Sequence, residues 1–434
     1  MTMKRVMGFW RCWGLVVGIV IGNGIFMLPA VLAPYGKLSL LAWIIAGIGT
    51  IFIALMLGTL AKRHSMQGGF YAYTRETFGD LSGYLIAWGY WISILTAMAA
   101  GAIAVTGYLG YFIPRVATDP IIGAVIALAL IWLTTAITLT GMKTACTFQL
   151  VTSVLKLLPL FAIAVGGLFI VDITPSLIET NEPEPTLFLI STMVMITMWA
   201  YVGIEAVTLP SDDVINPEKN IPRALILGTL TVTVIYIVLS YSVMALIPQA
   251  DLVKSTSPLA DAASVIFGPW GAGFIAVGAL ISMLSNINGN TLIVCIMPSA
   301  LSKDKLIPEF FSQKNEAGVA VKSLVISACI ASLLVIMNFS DGLLAAYKVL
   351  ILLSTLTVLL PYAVSALIEI VLQIKENSST NKINVKTFTI AVVAFIFSIF
   401  AIIGSGLTAA LQGILLLAAG LPFYYWSKRT KQDI

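Results

Sequence analysis

The 434 residues fall into successive unbroken apolar runs, and run length is the feature that most limits what this chain can become. The hydrocarbon core of a bilayer is ~30 Å thick, so a helix needs about 20 apolar residues to cross it. Counting runs of that length between charges, Pro/Gly turns and polar loops gives twelve, at about 13–34, 39–61, 82–114, 120–141, 147–171, 187–210, 223–247, 260–299, 321–338, 341–372, 387–405 and 407–426. The third, eighth and tenth are long enough to carry an oblique or interfacial extension. Runs of this length without period-2 alternation exclude membrane β-strands. With 59% hydrophobic and only 10% charged residues, against roughly 25% charged in a soluble domain, the outer solvent must be lipid. The expectation is an all-α membrane protein of twelve transmembrane helices in one transmembrane domain, residues 1–434.

The basic residues orient it. With the N-terminus in the cytoplasm, nineteen of the 24 Lys and Arg fall on the inner side, at 4, 5, 11, 62, 63, 75, 143, 219, 223, 303, 305, 314, 322, 375, 382, 386, 428, 429 and 431. Lys37, Arg115 and Lys254 fall outside, and Lys156 and Lys348 lie within spans. This bias predicts a multi-pass protein of the cytoplasmic (inner) membrane with both termini inside. The first run is too long for a cleaved signal peptide and lacks a small-residue cleavage site. Cys12, Cys146, Cys295 and Cys329 lie in or beside apolar stretches and read as small apolar fillers. One histidine, His64, cannot build a metal cluster, so no metal and no cofactor is expected. The net charge of +4 gives no sign of a nucleic-acid partner.

Two spans look broken. Run 1 carries Gly22, Asn23 and Gly24 near its middle, where glycines let a helix open and expose amides and carbonyls. Run 6 carries Val202, Gly203 and the intramembrane carboxylate Glu205, a costly residue that is by default functional. An offset of five spans puts them in opposite directions. The pattern predicts a 5+5 inverted repeat, about 10–171 and 187–372, with two C-terminal helices at about 387–426. Its use is a midplane site in which half-helix amides hold a carboxylate and carbonyls hold an ammonium. Small residues for tight helix packing are the competing reading of these glycines.

At these residues the sequence resembles a known family. "GNGIFMLP" at 22–29, "GGFYAYTRETFGDLSGYLIAWGYW" at 68–91 and "WAYVGIEAVTLPSDDVINPEKNIPRA" at 199–224 are similar to signatures of the amino acid–polyamine–organocation (APC) superfamily, over about residues 8–426. The layout looks most like its bacterial basic amino acid/polyamine antiporters, the arginine/agmatine exchangers among them. The resemblance implies sodium-independent antiport or proton-coupled uptake of an amino acid or amine. It places Val20, Gly22, Asn23 and Gly24 around the substrate carboxylate and α-ammonium, with carbonyls near Trp199 and Val202 sharing the latter and Trp199 as an aromatic gate. Tyr90 and Ser354 match other site-lining positions, and Glu205 matches a coupling or gating carboxylate; capping of amides across the break is the other reading. Departures stand beside these matches. Ile19 and Asn23 replace polar helix 1 residues, Ile94 and Met98 occupy the guanidinium-contacting positions, and Asn290 replaces the helix 8 tryptophan. A guanidinium against Ile and Met loses partners for its donors, so the distal pocket suits an apolar or smaller side chain.

Lys156 is too deep in run 5 to snorkel and must find a carboxylate or carbonyls freed by a broken helix, or lose its proton. It resembles the helix 5 lysine of proton-coupled neutral amino-acid permeases, where it stands in for sodium, and this keeps that branch open as an alternative. The expected partners are helix 1 carbonyls and Ser285 or Asn286. The loop Ser211–Arg223, with Asp212, Asp213, Glu218, Lys219 and Arg223, is expected to form inner-gate ion pairs. An outer loop with Asp172, Glu179, Glu182 and Glu184 would attract cations. No span offers the polar stripe of a channel, and no side-chain constellation suggests an intramembrane enzyme. The expected partners are lipid, protons and a small amino acid or amine, with the chain a monomer or homodimer.

Overall fold

The computed structural model describes residues 8–63, 69–141, 148, 151–152, 155–170, 186–208, 214–338, 343–380 and 384–429. Among these residues no β-strand forms. Among the described residues nine helices are long and apolar enough to cross a membrane by length and composition, and three shorter apolar helices cover Leu157–Gly167, Leu187–Tyr201 and Val321–Met337. Each of these segments falls in a different one of the twelve apolar runs. Long exposed apolar side chains such as Trp10, Ile121, Phe161, Trp270 and Leu407 are those a hydrocarbon solvent accepts without cost.

In chain order the helices are α1 (Phe9–Val20), α2 (Asn23–Leu32), α3 (Leu38–Arg63), α4 (Phe70–Phe78), α5 (Asp80–Leu109), α6 (Pro114–Thr118), α7 (Pro120–Leu139), α8 (Leu157–Ile170) and α9 (Leu187–Met198). They continue as α10 (Pro217–Leu246), α11 (Gln249–Leu252), α12 (Pro258–Val294), α13 (Ile296–Lys303), α14 (Val321–Asn338), α15 (Leu343–Thr380), α16 (Val385–Ile403), α17 (Gly406–Ala418) and α18 (Leu421–Arg429). Their starts are written locally. Asp119 caps α7, its carboxylate accepting from the Ile121 and Ile122 amides at 2.9 and 3.2 Å, with Pro120 at the first helical position. Thr186 caps α9 through the Leu189 amide at 3.1 Å. α12 bends at Gly268 (φ 71), just before Pro269.

The centre of the molecule is built from α1, α2 and α5. α5 is buried along most of its length and packs on α12 and α15, while α10 packs on α1 and α3. The interior therefore collects the two breaks, and α16 to α18 lie towards the outside.

At one end of the bundle, charged groups pair in a way the sequence did not suggest. Arg75 of α4 bridges Asp80 and Asp304, each at 2.8 Å, and the Tyr71 hydroxyl donates to Asp304 at 2.6 Å. Burial, then the Asp304 hydrogen bond, push the Tyr71 phenol upward. Arg63 pairs with the fully buried Glu369 of α15 at 3.2 Å. The ion pairs expected in the loop before α10 are not found: Glu218, Lys219 and Arg223 join no ion pair among the described residues, and Asp212 and Asp213 lie outside them. Asp172, Glu179, Glu182, Glu184, His64 and Cys146 also lie outside the described residues.

Candidate substrate site

α1 stops at Val20 and α2 starts at Asn23, with Ile21 and Gly22 non-helical between them. The second break is wider. A 3-10 turn at Trp199–Tyr201 gives way to an extended Val202 (ψ 130), then Gly203 at φ 108, then a second 3-10 turn at Ile204–Thr208. Gly203 holds a backbone conformation that an L side chain rarely adopts, and an added Cβ would also sit 2.6 Å from Ile19 Cγ2. At Gly24 a Cβ would lie 2.9 Å from the Ala200 backbone. These glycines serve both readings the sequence left open: they open the helices, and they let the two breaks pack against each other.

Opening α1 frees its last carbonyls, and side chains from elsewhere take them. Lys156 donates to the carbonyls of Gly18 and Ile21. Asn286 donates to Ile19 at 3.2 Å, and Ser282 reaches Ile21 at 3.4 Å. The Val20 carbonyl receives the Gly22 amide at 2.8 Å and the Tyr236 hydroxyl at 2.7 Å. Lys156 is 0% exposed, and its partners are carbonyls rather than a carboxylate. The expected partnership with helix 8 takes a different form: Asn286 and Ser282 share the same break without bonding the ammonium, and Ser285 Oγ has no hydrogen-bond partner.

Glu205, also 0% exposed, closes the second break from within. Its Oε2 accepts from the Gly203 amide at 3.1 Å and from the Tyr362 hydroxyl, while Oε1 is buried with no donor in hydrogen-bond geometry among the described residues. Tyr90 stands beside the same carboxylate. Trp199 is fixed by its indole N–H donating to the Tyr347 hydroxyl at 3.0 Å.

Between the breaks lies a cavity of about 30 Å³, large enough to admit water. Val20, Gly24, Tyr90, Ile94, Trp199, Val202, Glu205 and Asn290 of the expected set line it, as do Ile19, Ser93, Ala97, Gly203, Asn286 and Ile293. Ile19, Ile94, Ala97 and Ile293 give it apolar surface from three helices, and its polar groups come from both breaks, from Tyr90 and Ser93 of α5 and from Asn286 and Asn290 of α12. Asn290 donates to the backbone and side-chain oxygens of Asn286 at 3.0 and 3.1 Å, so the cavity wall is linked to the Ile19 carbonyl. The first amides of α2, from Asn23 onward, form the positive end of a half-helix at this point.

Some expected residues sit elsewhere. Met98 is fully buried but outside the cavity lining, and Gly22 is also outside it. Ser354 lies one layer back, locked to Ser93 by reciprocal bonds: Ser93 Oγ to Ser354 O at 2.9 Å and Ser354 Oγ to Ser93 O at 2.7 Å. Ser93, which does line the cavity, escaped the sequence reading, and so did Tyr236. A serine or a tyrosine in an apolar run carries no local signal of what it faces. Among the described residues no group of three or more His, Cys, Asp or Glu gathers to hold a metal.

Two broken helices meeting at one enclosed cavity inside a bundle of apolar helices define a polytopic membrane protein with an internal polar site. Residues 7–416 match the amino acid permease family, and the chain belongs to that family, within the APC superfamily. It is 31% identical to an arginine/ornithine antiporter of Pseudomonas aeruginosa, over 94% of this chain and 87% of that protein. It is likewise 31% identical to an arginine/agmatine antiporter of Chlamydia felis, over 95% of this chain and 87% of that protein. The putrescine transporter PotE of Escherichia coli is 26% identical, over 93% of this chain and 92% of that protein.

Proposed function

We propose that the protein is a sodium-independent antiporter of amino acids or their amine products in the cytoplasmic membrane, working by alternating access around the cavity between the two breaks. The observation that carries this reading is the cavity itself: half-helix amides, a buried carboxylate and Trp199 converge on it from two opened helices. The basic amino acids and amines named for the relatives support the cargo class, and they do not favour the neutral amino-acid permease that Lys156 alone would also suggest. All twelve apolar segments cross the membrane in this reading, both termini are cytoplasmic, and residues 10–171 and 187–372 form the inverted halves, with 387–426 appended.

Lys156 supports sodium independence. Its ammonium supplies, as a fixed charge, the cation that the freed carbonyls of α1 would otherwise recruit. Gly22 and Asn23 contribute backbone amides to the cargo carboxylate. Trp199 covers the ammonium by cation–π attraction, and Tyr90, Glu205 and Tyr362 form a gate. A cavity of about 30 Å³ must widen before cargo enters, so this set moves in each cycle. The apolar surface takes the methylene stem of a molecule such as ornithine or putrescine. It gives the five donors of a guanidinium no acceptors, so arginine is the poorer cargo.

The test is exchange in proteoliposomes loaded with a panel of basic and neutral amino acids and amines, at two pH values, with sodium or choline outside. Expected is exchange of ornithine or a diamine, more slowly of arginine, equally in both salts. A sodium requirement, or exchange confined to neutral amino acids, overturns the reading.

A further inference from the structure

Tyr236 belongs to neither broken helix and does not line the cavity, yet it touches the backbone of both breaks. Its hydroxyl lies 2.7 Å from the Val20 carbonyl of the first break and 3.1 Å from the Ala200 carbonyl of the second. Neither carbonyl keeps its helical partner: Val20 lost its own when α1 opened and has within its break only the Gly22 amide at 2.8 Å, and the Gly203 amide, three residues beyond Ala200, is turned instead to Glu205. A phenol carries one proton, so a single O–H serves two carbonyls from two helices. The ring is fully buried, its centroid 5.2 Å from that of Trp43 and 5.5 Å from that of Tyr201, and this packing holds the hydroxyl against the two carbonyls. On the other side of the breaks, Val20 and Trp199 face the cavity. The separation of these cavity-facing groups is therefore set from behind, by one hydroxyl in α10.

Taking the cavity as the substrate site, as above, we propose that Tyr236 is the positioning residue of that site. Its hydroxyl clamps the two breaks at the spacing cargo requires, and it governs cargo affinity more than turnover. Loss of one hydrogen bond that satisfies buried carbonyls corresponds to roughly a tenfold change in an equilibrium.

The test compares Tyr236→Phe, which keeps the ring and removes the hydroxyl, with Trp43→Phe, which loosens the same aromatic cluster and leaves the hydroxyl in place. Exchange kinetics of both are read in proteoliposomes beside their melting temperatures in detergent. Expected is a KM raised about tenfold in Tyr236→Phe with a smaller change in kcat, and in Trp43→Phe a lowered melting temperature with wild-type KM. Wild-type KM in Tyr236→Phe, or an equal rise in KM in Trp43→Phe, overturns the proposal. Should too little Tyr236→Phe reach the membrane, 3-fluorotyrosine at position 236 alters the donor strength of the hydroxyl at nearly constant size. It is expected to change KM, and an unchanged KM overturns the proposal equally. A wild-type protein that exchanges nothing in the panel brings down the site reading itself, whereas exchange with an indifferent Tyr236 brings down only this inference.

Discussion

In the first break, four consecutive carbonyls from Gly18 to Ile21 turn to donors that come from three other parts of the chain: Lys156, Tyr236 of α10, and Ser282 and Asn286 of α12. In the second, the main repair is local, because Glu205 folds back two residues onto the amide of Gly203. One break exposes acceptors and is filled by an ammonium, an amide and hydroxyls; the other exposes a donor and is filled by a carboxylate. The two deepest charges thus serve opposite backbone polarities. The difference also tells where each break is vulnerable: the first chiefly to changes far away in sequence, the second also to changes within itself.

The largest effect should come from removing the remote donor. Lys156→Ala leaves two buried carbonyls short of a charged donor, and each such loss costs about 1–3 kcal/mol. Exchange is expected to fall by about 100-fold or more, measured as counterflow at matched protein incorporation. Near-normal, pH-dependent exchange in this variant would mean that the first break does not need its cation. Next comes Gly203→Ala, which forces a side chain into positive φ and against Ile19. Strain of this kind costs about 1–3 kcal/mol, so the melting temperature should drop by several degrees while Gly8→Ala, where an added Cβ meets nothing, leaves it unmoved.

Glu205 separates capping from charge. Both hydrogen bonds to its Oε2 are donated by uncharged groups, and a glutamine oxygen can accept the same two. Glu205→Gln is therefore expected to keep exchange within about threefold of wild type, and Glu205→Ala to lose about tenfold. Equal losses in the two variants would show that the carboxylate's charge, not its capping, is what the second break contributes.

The same contrast explains what could be read from the sequence. Run length locates the long apolar helices, because a bilayer demands about 20 apolar residues whatever the neighbours are. The second break was visible because its parts, Val202, Gly203 and Glu205, are adjacent in sequence. Lys156 was visible because a deep charge has few possible fates. Tyr236, Asn286 as the partner of Ile19, and the Ser93–Ser354 lock were not visible as site elements, since their partners stand 216, 267 and 261 residues away and nothing local distinguishes them from packing residues. The bridge of Arg75 to Asp304 was missed for the same reason, while the charge-rich loop before α10 suggested a network that its described residues do not form.

The smallest effect on exchange of ornithine, and the one that most sharpens the cargo, lies on the wall that neither break supplies. Ile94 lines the cavity from α5 and offers no hydrogen bond to whatever lies against it. Ile94→Asn would place an amide oxygen there, able to accept from a guanidinium N–H. One hydrogen bond to a charged group adds about 1.5 kcal/mol, so arginine should compete against ornithine about tenfold better than in the wild-type protein. The backbone contacts at both breaks are untouched by this change, and the KM for ornithine should hardly move. If arginine gains nothing while ornithine weakens, the side chain of the cargo does not point towards α5, and the apolar wall is a packing surface for the gate.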